Sequence, residues 1–383
     1  MPDWTRSMQQ TYEFYEVNPT NWKDLRRLTN VKSCTITRDS DAETLGSATF
    51  DITESVGECY IRVYLITEQD GIREKHPLGT FLVQTPASSF DGKVRSVSMD
   101  AYTPLLELKE NPPPLGYSIL EGENIMERAY QLVNEHARAP VVKPDVINDN
   151  GKLTYDFVAN TDDTWMSYLS DLISNAKVEY SIPDGEENKH VLYHTGYKFA
   201  LDEMGRILFA PKQDISALQP VWTYTDDNSS ILYPEFDMDH DLYGIPNVVE
   251  IICTSANDNY YVRVENRDPN SPTSINKRGR EIIHRIVDPE LVGNWTYDQI
   301  IEYAKQVLKE LSTVEYTITY SHGYCPVRLD DCIRFNYSRA GLTNTKAKVI
   351  NQSIKCENGC PVTEKAVFTV KLVHDITVVG GDY

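Results

Sequence analysis

The chain has 383 residues, a formal net charge of −20 and 25% charged residues; a surface that acidic repels phosphate and argues against ordinary nucleic-acid binding through counterion release. The length exceeds one ordinary core and predicts two to three domains of about 150 residues. No stretch approaches the roughly 18 apolar residues of a membrane span, and Met1-Pro2-Asp3-Trp4 lacks the basic and apolar regions of a signal peptide, so synthesis in the cytoplasm and use without Sec export are expected.

The first hundred residues read as β. Residues 48–52 and 61–65 alternate apolar and polar, and Asp70-Gly71 marks a turn. Further strands are predicted over 81–83 and, after Asp91-Gly92, over 94–99; short strands with Gly-containing turns suggest a barrel or sandwich. Asn111-Pro112-Pro113-Pro114-Leu115-Gly116 is a stiff connector and a predicted boundary, with a polyproline ligand as the sharper reading.

Two helices follow. One carries the stripe Ile125, Ala129, Leu132 and Val133, and the other Trp165, Leu169, Leu172 and Ile173, with Thr161, Asp162 or Asp163 expected to cap it. Asn150-Gly151 predicts a turn before a strand over 153–157, and strands are predicted again over 178–182, 191–199 and 206–209. The middle third therefore reads as α+β.

Beyond about Gln213, β returns. Residues 248–254 and 260–264 predict a hairpin across Asn257-Asp258-Asn259, and 267–280 reads as a polar loop. Thr296-Tyr297-Asp298-Gln299 fits a capping box, and Ile300, Ile301, Ala304, Val307, Leu308 and Leu311 give the helix after it one apolar face. β-branched residues then follow, among them Val314, Thr317, Ile318 and Thr319; the last strands, over 346–355 and 366–372, join across Asn358-Gly359, a strong hairpin signal.

No phosphate loop, dinucleotide fingerprint, zinc-protease helix or nucleophile elbow is present. Ser274-Ile275-Asn276-Lys277 has Ser-x-x-Lys spacing but is expected in a loop, away from a helix start. His190 and His194 are spaced as helical zinc ligands, yet their neighbours read as strand, which would set them roughly 13 Å apart. Asp237, Asp239 and Asp241 resemble the start of a calcium loop, but Leu242 and Val248 stand where glycine and glutamate are required. The paired acids Asp226-Asp227 and Asp330-Asp331 do not face each other if extended, so neither pair alone supplies acid–base chemistry.

Seven cysteines without an export signal point to free thiols. Cys34, Cys59 and Cys253 read as small core residues. Cys325, Cys332, Cys356 and Cys360 are the best metal candidates, a structural Cys₄ zinc site set against chance adjacency; their spacing is not the usual Cys-x₂-Cys. If a strand runs through it, Cys332 shares a face with Arg328, Asp330 and Arg334, which does not read as core.

The order of motifs resembles a known family. Gly79-Thr80-Phe81-Leu82-Val83 fits a G-x-F-x-V strand, and Met99-Asp100-Ala101-Tyr102-Thr103-Pro104-Leu105-Leu106 a following strand and leucine segment. A helix within 291–311 and a strand over 327–335 come later. This arrangement resembles the baseplate or tail-tip hub proteins of bacteriophages and related contractile injection machines. It departs at Asp330-Asp331, where Gly-Asp is usual, so that turn must form without glycine.

The resemblance implies a mainly β fold: a tail-tube-like β-barrel over 1–110, recruiting strands from about 200–235; an α+β inserted domain over 111–210; and a second tail-tube-like β-barrel over 211–383, with a packing helix over 296–311 and C-terminal strands. It implies a homotrimer whose six barrels imitate a sixfold ring and whose barrel edges pair between neighbours. One side would meet the hexameric tail tube or a distal tail protein and the other a trimeric spike or tip. Tape-measure protein and DNA would cross the lumen without sequence-specific binding, in a virion tail, with no catalytic residue and no cofactor. The acidic composition is either a solubility device or, given the resemblance, a lumen lining that repels DNA.

Two other readings compete. Five tryptophans and 24 tyrosines suit a carbohydrate-binding or host-recognition tail protein. A tail-associated cell-wall hydrolase would need carboxylates from distant positions, or a C-terminal extension for which Tyr383 leaves no room.

Overall fold

The computed structural model describes residues 2–53, 56–90, 95–144, 151–153, 155–176, 178–184, 187–193, 196–212, 215, 218–254, 259–287, 296–373 and 375–379. The strands are β1 (Gln9–Val17), β2 (Asp24–Leu28), β3 (Val31–Asp39), β4 (Gly46–Ile52), β5 (Tyr60–Gln69), β6 (Ile72–Phe90) and β7 (Arg95–Tyr102), then β8 (Ser118–Ile119), β9 (Phe157–Val158), β10 (Val178–Asp184), β11 (Glu187–Tyr193), β12 (Tyr197–Leu201) and β13 (Ile207–Pro211). They continue with β14 (Trp222–Thr225), β15 (Leu232–His240), β16 (Val248–Thr254), β17 (Asn259–Asn266), β18 (Ile283–Val287), β19 (Thr313–Gly323), β20 (Cys332–Tyr337), β21 (Leu342–Lys355), β22 (Pro361–Lys371) and β23 (Ile376–Val378). The helices are α1 (Leu106–Glu110), α2 (Ile125–His136), α3 (Trp165–Ser174), α4 (Ile275–Arg278) and α5 (Tyr297–Leu311). The protein is mainly β, and it forms two compact units: Met1–Phe236 with Thr319–Ala366, and Asp237–Ile318 with Val367–Tyr383.

The larger unit holds most of a 13-stranded sheet ordered β15-β19-β22-β21-β3-β4-β7-β6-β5-β1-β2, with β14 and β20 branching from β21. β21 belongs to two neighbourhoods. Its first half pairs with β20, from Phe335↔Thr345 to Cys332↔Lys348. Its second half pairs with β3, from Asn351↔Asp39 to Lys355↔Thr35. Inward residues of β1 and β3–β7, including Phe14, Ile36, Phe50, Val63, Leu65, Phe81 and Met99, close one core, joined by Ile354 and Val362 from the C-terminal strands.

Gly79 explains the G-x-F spacing. Residues i and i+2 of a strand share a face, and the Phe81 ring folds back over that glycine. A Cβ at position 79 would lie 2.5 and 2.6 Å from two ring carbons. Gly79→Ala is therefore expected to destabilise the protein by about 1–3 kcal/mol, because Phe81 must leave its rotamer; a denaturant midpoint unchanged from wild type would refute this packing account.

The segment between β7 and β14 forms a second core within the same unit. Leu105, Ile125, Met126, Ala129, Leu132, Trp165, Leu169 and Ile173 pack with Phe199 and Ile207 of the β12–β13 hairpin. α3 is capped by Thr164, one residue past the expected candidates: its hydroxyl accepts from the Ser167 N–H at 3.2 Å. Asp163 instead accepts from the Ser167 hydroxyl at 3.0 Å, which leaves the first free amides to Thr164. Of the strand expected over 153–157, Thr154 lies outside the described residues, and Phe157 begins β9, which pairs with the two residues of β8.

The smaller unit carries a four-stranded sheet, β18-β16-β17-β23. The expected β16–β17 hairpin is present, and β18 adds in parallel to β16. α5 lays Ile300, Ala304 and Leu308 against Val249, Ile251, Val262 and Val264. Its capping box forms as read: Thr296 accepts from Gln299 N–H, and the Gln299 side chain accepts from Thr296 N–H at 2.8 Å. The 267–280 loop is broken by α4, which the sequence reading missed. Residues 211–383 thus contribute to both units.

Candidate functional site

The most concentrated polar chemistry among the described residues lies inside the larger unit, where β14, β19, β21 and β22 meet. The Glu364 carboxylate is fully buried. It accepts from Tyr320 Oη at 2.5 Å, Gln352 Nε2 at 2.6 Å and Tyr224 Oη at 3.3 Å. His322 Nε2 completes the shell at 3.2 Å, with neither partner exposed. The other ring nitrogen, Nδ1, donates to the Gly323 carbonyl at 2.7 Å. Burial alone would drive the His322 pKa down, but the facing carboxylate reverses this and pushes it up to about 10. Burial would likewise raise Glu364, yet His322, Tyr320 and Gln352 outweigh it and hold the carboxyl below the ordinary range. The result is a closed ion pair with its hydrogen bonds filled. Around it stack Phe335 on Tyr224 and Phe236 on Tyr320. Nothing here opens to a substrate, and the arrangement suits rigidity better than proton transfer.

The departure at Asp330 has a physical answer. Residues 328–331 turn back on themselves, with the Asp331 N–H donating to the Arg328 carbonyl at 3.3 Å. Asp330, at the third position, has φ +67. That left-handed conformation is where glycine is favoured, and Asp is among the few other residues that tolerate it. Its carboxylate forms ion pairs with Lys198 and, at 3.6 Å, with Lys348. Asp330→Gly is expected to leave stability within about 1 kcal/mol, since relief of the backbone offsets the loss of half-exposed ion pairs. Asp330→Val should cost about 1–3 kcal/mol at the same place; equal midpoints for the two variants would show that the turn makes no such demand. Beside this turn lies a cavity of about 820 Å³ between the β12–β13 hairpin and the β3–β6 region, floored by Leu78, Phe81 and Phe199. The charges around it are largely engaged: Arg328 pairs with Glu203, and Arg38 donates to the Leu78 carbonyl at 2.7 Å.

The other sequence candidates disperse. Ser274 does stand at a helix start, contrary to expectation: it caps α4, its hydroxyl accepting from Lys277 N–H at 3.3 Å and donating to the Ser271 carbonyl at 3.0 Å, while the Lys277 side chain is exposed. That oxygen is spent on backbone. His190 lies on β11, and His194 falls outside the described residues. Asp237 and Asp239 lie on β15, and Asp241 accepts from Tyr243 N–H at 2.7 Å. Asp226 accepts from Ser338 and Asp227 from Ser229, bonds that hold both carboxyls below their usual range.

The four C-terminal cysteines are not brought to one point. Cys325 Sγ sits 3.4 Å from Tyr224 Oη, and Cys332 Sγ donates to the Ile333 carbonyl at 3.8 Å. Cys356 and Cys360 belong to the core around Phe14 and Ile36. Among the described residues no group of three or more His, Cys, Asp or Glu side chains is placed to hold a metal ion. Cys332 is buried, against expectation, because the strand starts there and the face it was assigned to share with Arg328 and Asp330 is a turn. Of the tryptophans, Trp22 and Trp165 are buried and Trp4 and Trp222 half-buried, while Trp295 falls outside the described residues. No helix among the described residues is long and apolar enough to cross a membrane.

Surfaces suited to association are the strand edges. β2 and β15 end the large ladder and β18 ends the four-stranded sheet. On β18, Ile283 is 43% and Val287 58% exposed. An edge strand bearing apolar side chains is a ready template for pairing with another chain.

No protein-family model matches the sequence, and no curated protein matches it. Solved structures do. A tail protein from Neisseria meningitidis MC58 is similar over 95% of this chain and 98% of its own, at 13% identity and a TM-score of 0.55. The 43 kDa tail protein of prophage MuSo2 from Shewanella oneidensis is similar over 94% of this chain and 98% of its own, at 10% identity and a TM-score of 0.55. A chain of the Francisella PdpA-VgrG complex is similar over 94% of this chain and 53% of its own, at 9% identity and a TM-score of 0.50. The fold is therefore that of phage tail proteins, the class to which the G-x-F strand, the α5 helix and the 327–335 segment had pointed.

Proposed function

We propose that this chain is a structural protein of a phage tail or a related injection machine, and specifically a baseplate or tail-tip hub. The observation that carries the reading is the likeness of fold to two tail proteins over nearly the whole of both chains. The hub has two tail-tube-like barrels, drawn from 1–110 and 211–383, with 111–210 inserted. Three copies present six barrels to a hexameric tube or distal tail protein and threefold symmetry to a spike or tip. The edge strands are the natural pairing surfaces between copies. Tape-measure protein and DNA cross the lumen without sequence-specific contacts, and the net charge of −20 keeps the genome from adhering. The role is architectural, with no catalytic step assigned.

Light scattering tests this directly. A mass three times the 43.7 kDa protomer is expected, alone or with a tube or spike partner; a monomer that stays monomeric beside both partners would overturn the hub reading. Exchanging lumen-facing carboxylates for lysine should slow genome release, and unchanged ejection kinetics would remove the electrostatic part.

A further inference from the structure

Cys34, which stood outside the zinc candidates, meets Cys356 and Cys360 where β3 leaves β21. The β3–β21 register ends at Lys355↔Thr35, so the next opposed residues are Cys356 and Cys34. Their backbones are joined, the Cys356 N–H donating to the Cys34 carbonyl at 2.9 Å. Opposed residues of an antiparallel pair point to the same face with Cα atoms about 5.5 Å apart. That lies inside the roughly 4.4–6.8 Å that a disulfide spans. Cys34 is 3% exposed and belongs to the core; Cys356 is half-buried and packs on the same core. The neighbouring Cys34 thiol, together with burial, pushes the Cys356 thiol well above its ordinary range. Cys360, fully buried, lies in the same cluster beside Tyr12, whose hydroxyl donates to the Glu357 carbonyl at 2.7 Å.

We propose that Cys34 and Cys356 form an oxidisable dithiol, a modification site that becomes a cross-strand disulfide joining β3 to the end of β21. The oxidant is a low-molecular-weight disulfide such as oxidised glutathione. The thiolate of Cys356, the less buried of the two residues, attacks one glutathione sulfur; the glutathione S–S bond breaks and one glutathione leaves as thiolate, taking up a proton. The Cys34 thiolate then attacks the Cys356 sulfur of the mixed disulfide and expels the second glutathione. Two protein thiols lose two electrons and two protons, and one glutathione disulfide becomes two thiols. The Cys34 thiol beside it and burial hold Cys356 protonated at neutral pH, so the exchange is slow there and quickens as pH rises. In a tail protein, made in a reducing cytoplasm and carried into an oxidising medium, such a bond closes after assembly; that consequence rests on the tail reading, whereas the bond itself does not.

The test uses the full chain purified under reducing conditions, then equilibrated with reduced and oxidised glutathione at neutral and mildly alkaline pH. Alkylation followed by non-reducing peptide mapping should show a linked Cys34–Cys356 pair. It should form faster at the higher pH and shift the melting temperature upward by several degrees until dithiothreitol reverses it. Cys360→Ser should retain the linkage, and Cys356→Ser and Cys34→Ala should abolish it. Wild-type protein that keeps both thiols alkylatable, or in which Cys356 links to Cys360 instead, would overturn the assignment. The wild-type map decides even if a variant fails to fold.

Discussion

Glu364→Ala is expected to cost about 3–5 kcal/mol of folding stability, among the largest effects of any single substitution in this chain. Removing one member of a buried pair strands the other charge, and His322 has no water to turn to. The loss also leaves Tyr320, Tyr224 and Gln352 without their shared acceptor. Glu364→Gln should cost less, since it keeps an acceptor while allowing His322 to become neutral. The pair also predicts a pH dependence. His322 titrates at about 10 in the folded protein and near 6.5 when unfolded, so its contribution is complete below the unfolded value and fades as pH rises through the folded one. Glu364 works the other way, its contribution fading in acid as pH falls through its lowered value. Urea midpoints measured from neutral to alkaline pH should fall in wild type and fall less in Glu364→Gln. Parallel curves for the two proteins would show that the ion pair does not set the alkaline limb.

Arg62→Leu is the second substitution expected to cost about 3–5 kcal/mol. Arg62 is 1% exposed in the middle of β5. Its guanidinium donates to Thr80 Oγ1 at 2.9 Å, Asp24 Oδ1 at 2.9 Å, and the carbonyls of Trp22 and Met204 at 3.2 and 3.1 Å. Leucine fills much of the volume but leaves these acceptors without their donor, although Trp22 Nε1 still reaches the Met204 carbonyl at 2.7 Å. Lysine restores the charge with fewer directed bonds, so Arg62→Lys should recover only part of the loss. Because Arg62 holds the 202–205 turn against β5, limited proteolysis should open that turn in Arg62→Leu before global unfolding. A variant as protease-resistant as wild type would place the stabilisation elsewhere.

Arg62 also shows where sequence reading stops. Between Ile61 and Val63 it reads as an outward-facing residue of an alternating strand. In the fold both faces of β5 are buried from Tyr60 to Thr67, and at Arg62 the second face meets the turn after β12, more than a hundred residues later. The polar centre was hidden for the same reason. Tyr224, His322, Gln352 and Glu364 come from four strands, and no spacing links them. The one usable trace was positional: His322 and Glu364 occupy inward positions of alternating strands, where a charge needs a partner. Local signals fared better. The Thr296 capping box, the β16–β17 pairing and the Asn358-Gly359 turn, with Gly359 at φ +85, involve residues close in sequence. The glycine missing at 330 was legible as an anomaly, and its resolution, an aspartate in a left-handed conformation, required the backbone.

The double engagement of β21 bears on how the protein is made. While the ribosome is still working, β1–β7 can emerge and pair among themselves, but the outer side of β3 has no neighbour until residues 351–355 have been made. Until then the nascent chain carries an open strand edge next to apolar side chains, the condition that invites misassembly. Synthesis of β21, rather than of the first hundred residues, is the point at which the early strands are sealed.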